Sequence, residues 1–213
     1  RALLLVAHGS LDPRFALVVD DVARQVRLLA PEVDVRVGYL DHGPPSVADV
    51  AAAGAVAVPL LLAAGYHVRV DLPEQAPRVV VAAALGPDPR LADALADRLA
   101  EAGYDGRAPV TLAAAGSADE RARSDVDMAG RHLADRLGVE VSVAYVAAGS
   151  PRLAETEPHA VATYLLAPGT FNDAVRACSA KVIAAPLGAH PLLAEIVLDR
   201  YRAAQLPGRT APA

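Results

Sequence analysis

Three of the six histidines in this 213-residue chain stand where an apolar run gives way to a turn. His8 follows Leu3–Ala7, His42 follows Val33–Leu40, and His67 follows Ala55–Leu62. A neutral imidazole offers a lone pair to a divalent ion, and because it titrates near pH 6.5 it also takes or releases a proton. Asp71, in the stretch after His67, is placed to orient a ligand histidine or accept a proton, or else is a helix-start or turn aspartate before Leu72-Pro73. His42 reads either as the rim of a site or as a solvated turn residue. The other three make weaker candidates: His132 sits in an Arg- and Asp-rich helical stretch that reads as surface, and His159 and His190 lie beside prolines as caps or turns.

The elements that hold these residues follow from periodicity. LLLVA (Leu3–Ala7) is a short buried strand that stops at His8-Gly9-Ser10, and Asp12-Pro13 favours a helix start. Val18, Val22, Val26 and Leu29 form one helical stripe that ends before Pro31. Val33–Leu40 alternates as a strand, Ser46 caps a short helix reaching Ala53, and Ala55–Leu62 is a third buried strand. Val68–Gln75 holds a short helix or loop, Arg78–Ala84 a fourth strand, and Leu91, Leu95 and Leu99 mark the next helix.

The pattern then repeats. VTLAAAGSADER at Val110–Arg121 reproduces the opening stretch, with Gly116-Ser117 under Gly9-Ser10 and Asp119 under Asp12. Val141–Glu155 lies under Val35–Asp49, Leu165–Phe171 under Leu61–His67, and Pro186–Tyr201 under Ala84–Leu99. The fold class expected is therefore α/β: two tandem lobes, each a four-stranded parallel sheet flanked by helices, related by internal duplication. The expected boundaries are residues 1–104 and 109–206, with Gly103–Pro109 as linker and Pro207–Ala213 as a frayed tail. A tandem repeat of this kind is expected to pack as a monomeric pseudo-dimer with a cleft between its lobes; one continuous eight-stranded sheet is the alternative.

The repeat is most informative where it breaks. His8 lies over Ala115, His42 over Ala148 and His67 over Phe171, so the second lobe keeps the scaffold and loses the imidazoles. With the doubly wound strand order 2-1-3-4, the carboxyl ends of the first and third strands flank the switch point where ligands bind, and His8 faces His67 across it. Two imidazoles without a cysteine suit a borderline divalent ion such as Fe²⁺, Co²⁺ or Ni²⁺ and leave coordination positions open for exchange or catalysis.

Composition sets the outer limits. A hydrophobic share of 54% supplies a core, and with aromatics at 4% that core is aliphatic. The net charge of −5 argues against nucleic-acid binding, which needs a basic face. Cys178 is the only cysteine, so neither an internal disulfide nor a Cys-based zinc site is expected, and a reducing, cytoplasmic setting is. Leu3–Ala7 is too short for a signal-peptide core, and no stretch reaches the roughly 18 apolar residues of a membrane span. No P-loop, no G-x-G-x-x-G after the first strand and no G-x-S-x-G are present, so neither ATP, NAD nor a nucleophile-elbow serine is implied. Gly9 and Ser10 then read as a turn whose amides and hydroxyl face an anion.

LLLVAHGSLDPR together with LLLAAGYHVRVDLP resembles the sirohydrochlorin chelatases of the CbiX type, across nearly the whole chain in the long, two-lobed form. The chain departs from the family pattern at Leu11, where a charged residue is frequent, and in the second lobe, where both histidine positions are lost. The resemblance implies insertion of Co²⁺ or Fe²⁺ into a reduced tetrapyrrole without ATP, in cobalamin or sirohaem biosynthesis. The metal would be a substrate rather than a prosthetic group, and no other cofactor is expected. His8 and His67 would be the metal-binding and catalytic residues. Gly9, Ser10, Arg14, His42, Tyr66, Arg69 and Asp71 would contact the ring, with Arg14 and Arg69 as candidates for its carboxylates. A non-catalytic metal or tetrapyrrole carrier would use the same histidines. A phosphohistidine phosphatase also places His-Gly after its first strand, but needs an Arg where this chain has Ala7.

Overall fold

The computed structural model describes residues 1–206, His67 through its backbone; the tail expected over Pro207–Ala213 lies outside the described residues. The first half contains β1 (Leu3–Ala7), α1 (Pro13–Leu29), β2 (Val35–Tyr39), α2 (Val47–Val50), β3 (Val56–Pro59), α3 (Leu72–Gln75), β4 (Val80–Val81) and α4 (Pro89–Glu101). The second contains β5 (Val110–Gly116), α5 (Glu120–Leu137), β6 (Val141–Ala148), β7 (Ala160–Tyr164), α6 (Thr170–Arg176), β8 (Val182–Ile183) and α7 (Pro191–Ala203). A 3₁₀ turn at Leu153–Glu155 replaces the second helix of the second half.

The strands form two separate parallel sheets, ordered β2-β1-β3-β4 and β6-β5-β7-β8. The expected 2-1-3-4 order holds in both, and a continuous eight-stranded sheet is excluded. Every residue of β1 is buried, as a central strand covered on both faces requires. Val6 pairs with Gly38 on one side and with Pro59 on the other, so the chain leaves β1 between the ends of β2 and β3.

Local chemistry sets the helix starts. Asp12 caps α1 by accepting the Arg14 N–H, with Pro13 in the first turn, where a missing N–H costs nothing. Ser46 and Asp49 form a reciprocal capping box on α2. The strands expected over Val33–Leu40, Ala55–Leu62 and Arg78–Ala84 are shorter than their apolar runs. Alternation and apolarity mark burial, and buried residues such as Leu60 and Ala84 continue past the last ladder bond.

The unit boundaries differ from those expected. The chain folds as two compact units, one formed by Arg1–Leu85 together with the segment from Ala189, the other by Gly86–Gly188. Helix α4 packs on α5 and β7, and α7 packs on α1 and β3. The boundaries 1–104 and 109–206 are corrected accordingly: each repeat lends its last helix to the other unit. The reason for the difference is physical. The stripe Leu91, Leu95, Leu99 fits either sheet equally well, because the two sheets are copies, and periodicity carries no information about which one is covered.

Candidate functional site

At the end of β1 the ladder to β2 continues beyond the strands. Leu40 N–H donates to Ala7 O and Asp41 N–H donates to His8 O, each at 2.9 Å. On the other side Leu60 N–H donates to Val6 O at 2.7 Å. The backbone of His8 is therefore held from the β2 side, immediately before His42, and the residue two before it is tied to the end of β3.

His8 is partly buried, and its Nδ1 lies 3.1 Å from Gly9 O. A carbonyl only accepts, so Nδ1 is the donor in this contact, and in the neutral ring that tautomer leaves the lone pair on Nε2, the form in which an imidazole binds a metal ion. Gly9 has φ +96°, and a Cβ there would stand 2.1 Å from His42 O. Only glycine lets the His8 turn and the His42 backbone meet. His42 is half-exposed, with Nε2 3.5 Å from Asp41 Oδ2.

The next residues build the turn. Ser10 Oγ accepts from Asp12 N–H at 3.1 Å, and Asp12 in turn accepts from Arg14, Nε and Nη2 both reaching its carboxylate. The Arg14 side chain beside Asp12, and then its backbone N–H, hold that carboxyl below its ordinary value. An anion taken up by Arg14 would have to compete with Asp12.

Beyond β3 the backbone reaches His67, which opens a π-helical turn, His67–Asp71, that runs into α3. Turns of this width are uncommon and concentrate at functional sites. Val68 and Leu72 are buried and anchor the turn, whereas Arg69 and Tyr66 are exposed. Asp71 stands at the start of α3, as its helix-start reading places it, in helical conformation and without a side-chain capping hydrogen bond. Gln75 Nε2 donates to Leu40 O at 2.8 Å and ties α3 to the loop that carries His42. Sequence reasoning misses Gln75, since a glutamine on a short helix carries no signal of its long-range partner. Among the described residues no group of three or more His, Cys, Asp or Glu is assembled that could hold a metal ion.

The second unit contains the same turn without the imidazoles. Gly116 has φ +97°, and a Cβ there would stand within 1.8 Å of Ala148 O. Ser117 Oγ accepts from Asp119 N–H at 3.0 Å and Asp119 Oδ1 from Arg121 N–H at 2.9 Å. Gly9 and Ser10, expected to contact the ring, both build a turn that persists where those histidines are gone.

A model of the CbiX family matches residues 2–102. The sirohydrochlorin cobaltochelatase of Sulfurisphaera tokodaii is 34% identical over 113 residues, which are 46% of this chain and 91% of the relative. The chain belongs to the CbiX family. The sirohydrochlorin cobaltochelatase of Methanopyrus kandleri is 28% identical over 137 residues, 47% of this chain and 96% of that one. These relatives thus match about half of the present chain. Two solved structures match nearly all of it. SirB from Bacillus subtilis with Fe³⁺ has a TM-score of 0.75 at 20% identity, covering 95% of this chain and 94% of that one. CbiX, described as the terminal enzyme for biosynthesis of sirohaem in denitrifying bacteria, has a TM-score of 0.76 at 22% identity, covering 97% and 100%. At these identities the likeness is one of fold, and it extends through both repeats of this CbiX chain. No helix among the described residues is long and apolar enough to cross a membrane.

Proposed function

We propose that this chain inserts Co²⁺ or Fe²⁺ into sirohydrochlorin or a closely related reduced tetrapyrrole, without nucleotide hydrolysis. The observation that carries the reading is the contrast between the two lobes. One scaffold occurs twice, and only the first copy has a histidine at the end of its central strand and another on the turn after the neighbouring strand. The names of the curated relatives support the substrate class.

Insertion removes two N–H protons from the macrocycle and exchanges the ligands of the incoming ion for four ring nitrogens. His8, as a neutral imidazole, would hold the ion together with His67 in a partly open site, so that departing ligands are exchanged one at a time. A neutral imidazole released from the ion accepts one ring proton, and bulk water or a second imidazole takes the other. Arg69, exposed on the turn that His67 opens, is offered to the ring carboxylates. The metal is consumed as substrate, so no resident cofactor is required.

The test is anaerobic incubation of the purified chain with sirohydrochlorin and, separately, Co²⁺, Fe²⁺ or Ni²⁺, followed by visible absorption beside His8→Ala and His67→Ala. Insertion faster than the protein-free control, lost in both variants, is the expected result and ranks the metals. Binding of metal or ring with no acceleration by the wild-type chain would replace the enzyme reading with a carrier.

A further inference from the structure

Leu40 joins the segments that carry the three histidines of the first lobe. Its N–H donates to Ala7 O at 2.9 Å, at the end of β1, and the next N–H, that of Asp41, donates to His8 O. Its C=O accepts from the side-chain amide of Gln75 at 2.8 Å, on the helix that continues from the His67–Asp71 turn. Leu40 is thus tied to β1 through its N–H, to α3 through its C=O, and to His42 through the chain.

Two kinds of force hold the His67 turn. Upstream, Leu60 N–H is bonded to Val6 O; downstream, Val68 and Leu72 are buried, Leu72 in one apolar cluster with Leu40 and Ala76. Apolar burial is non-directional and tolerates a slide of one element over another, whereas a hydrogen bond weakens steeply as its geometry is lost. Gln75 supplies the directional contact. The second copy of the scaffold does without it: the unit Gly86–Gly188 contains no glutamine. There Val146, in the place of Leu40, and Cys178 and Ala180, after α6, pack against one apolar cluster. Ordering a glutamine side chain costs about as much as one neutral hydrogen bond returns, so the tie adds little to stability and its gain is geometric.

We infer that Gln75 is a positioning residue for the incoming metal: its hydrogen bond to Leu40 O sets the separation between the turn that His67 opens and the strand end that carries His8. The inference rests on the proposed chelatase reading and adds to it a residue that acts on the metal through the backbone. Two imidazoles on separate loops act together on one ion only while the loops keep their distance, because the effective concentration of the second ligand falls as they drift apart. A bond between the two loops' supports fixes that distance without contacting the ion.

The experiment titrates the full chain with Co²⁺ alone, read by the visible absorption of the bound ion, for wild type, Gln75→Met, Gln75→Leu and Gln25→Met. Gln25, on α1, is the matched control: it is half-buried like Gln75, and its Nε2 donates to Ala189 O at 2.7 Å in the same unit. Methionine keeps the length of glutamine and removes the donor, and leucine repeats the removal with a different shape. All three variants are expected to lower the unfolding midpoint by a similar small amount. Co²⁺ affinity is expected to fall on the order of tenfold in both Gln75 variants, as for other groups that orient metal ligands from outside, and to stay within about twofold of wild type in Gln25→Met. In the insertion assay the loss appears in KM for the metal. Affinity within about twofold of wild type in the Gln75 variants overturns the inference. So does an equal loss in Gln25→Met, or an unfolding midpoint in the Gln75 variants far below that of Gln25→Met, since either makes the bond a matter of stability alone. A wild-type chain that binds Co²⁺ more tightly than His8→Ala and His67→Ala but inserts none defeats the chelatase reading and leaves this one to the titration. One whose Co²⁺ binding survives both histidine substitutions defeats this inference, whatever its rate of insertion.

Discussion

Gly9→Ala and Gly116→Ala make a matched pair, because the duplication places the same close approach in a lobe with histidines after the carboxyl ends of its strands and in one whose histidines lie elsewhere. At Gly9 the added Cβ would stand 2.1 Å from His42 O and 2.8 Å from His42 N, at φ +96°. Contacts under 3.0 Å are essentially never seen for a real Cβ, so the His42 backbone must retreat by about 1 Å, and overpacking together with strained φ costs about 2 to 6 kcal/mol. Gly116→Ala meets Ala148 O within 1.8 Å at φ +97°, so its cost in stability is similar. The functional costs are not. Displacing the His8–His42 junction by about 1 Å is expected to slow insertion on the order of 100-fold, the usual penalty for misplacing a reacting group by that distance. Gly116→Ala, assayed under conditions where it remains folded, is expected to retain most of the activity. Denaturant unfolding and initial insertion rates on both variants decide the matter. Equal losses of rate in two folded variants would refute the assignment of the chemistry to the first lobe, and an unchanged stability in Gly9→Ala would refute the close approach itself.

Two further outcomes follow from the packing and the caps. Leu95→Ala, at a fully buried position on α4, is expected to destabilise by about 2 to 5 kcal/mol and to accelerate amide exchange in β5, β7 and α5, although Leu95 belongs to the first repeat; faster exchange confined to β1–β3 would contradict the exchanged helices. Asp12 and Asp49 both titrate below the ordinary 3.8, held down by Arg14 and by Ser46. Depressed carboxyl pKa values stabilise the folded chain fully above that value and cease to do so as pH falls through the folded-state values, so the stability lost in Asp12→Asn is expected to be largest above about pH 3.8 and to shrink as the pH falls below it. A stability difference from wild type that does not shrink in acid would show that the Asp12 charge contributes nothing.

Much of this architecture was legible because the chain states it twice. The order β2-β1-β3-β4, the start of α1 at Asp12-Pro13 and the Ser46 cap all follow from short-range rules, in which a residue's neighbours in sequence are its partners in space. The destination of α4 is a long-range choice between two similar sheets, and no local signal encodes it. The same distinction applies to the site. His8 could be placed from the strand that precedes it, whereas Gln75 reaches the carbonyl of Leu40 from another element, a contact that only the folded chain defines.

Duplication also separates what a residue does for the fold from what it does for chemistry. Gly9, Ser10 and Asp12 are the most recognisable letters of the opening motif, yet each has a counterpart at Gly116, Ser117 and Asp119 doing the same mechanical work where no imidazole remains. What distinguishes the first lobe is therefore narrower than the motif: His8, His42 and His67. A motif read in a single-lobed relative could not make this separation, because turn and ligand would always occur together. Here the unused copy acts as an internal control. In both copies the glycine lets the ends of two strands meet and the serine closes the turn that follows, which leaves the histidines, absent from those places in the second copy, as the residues whose presence calls for a chemical reason.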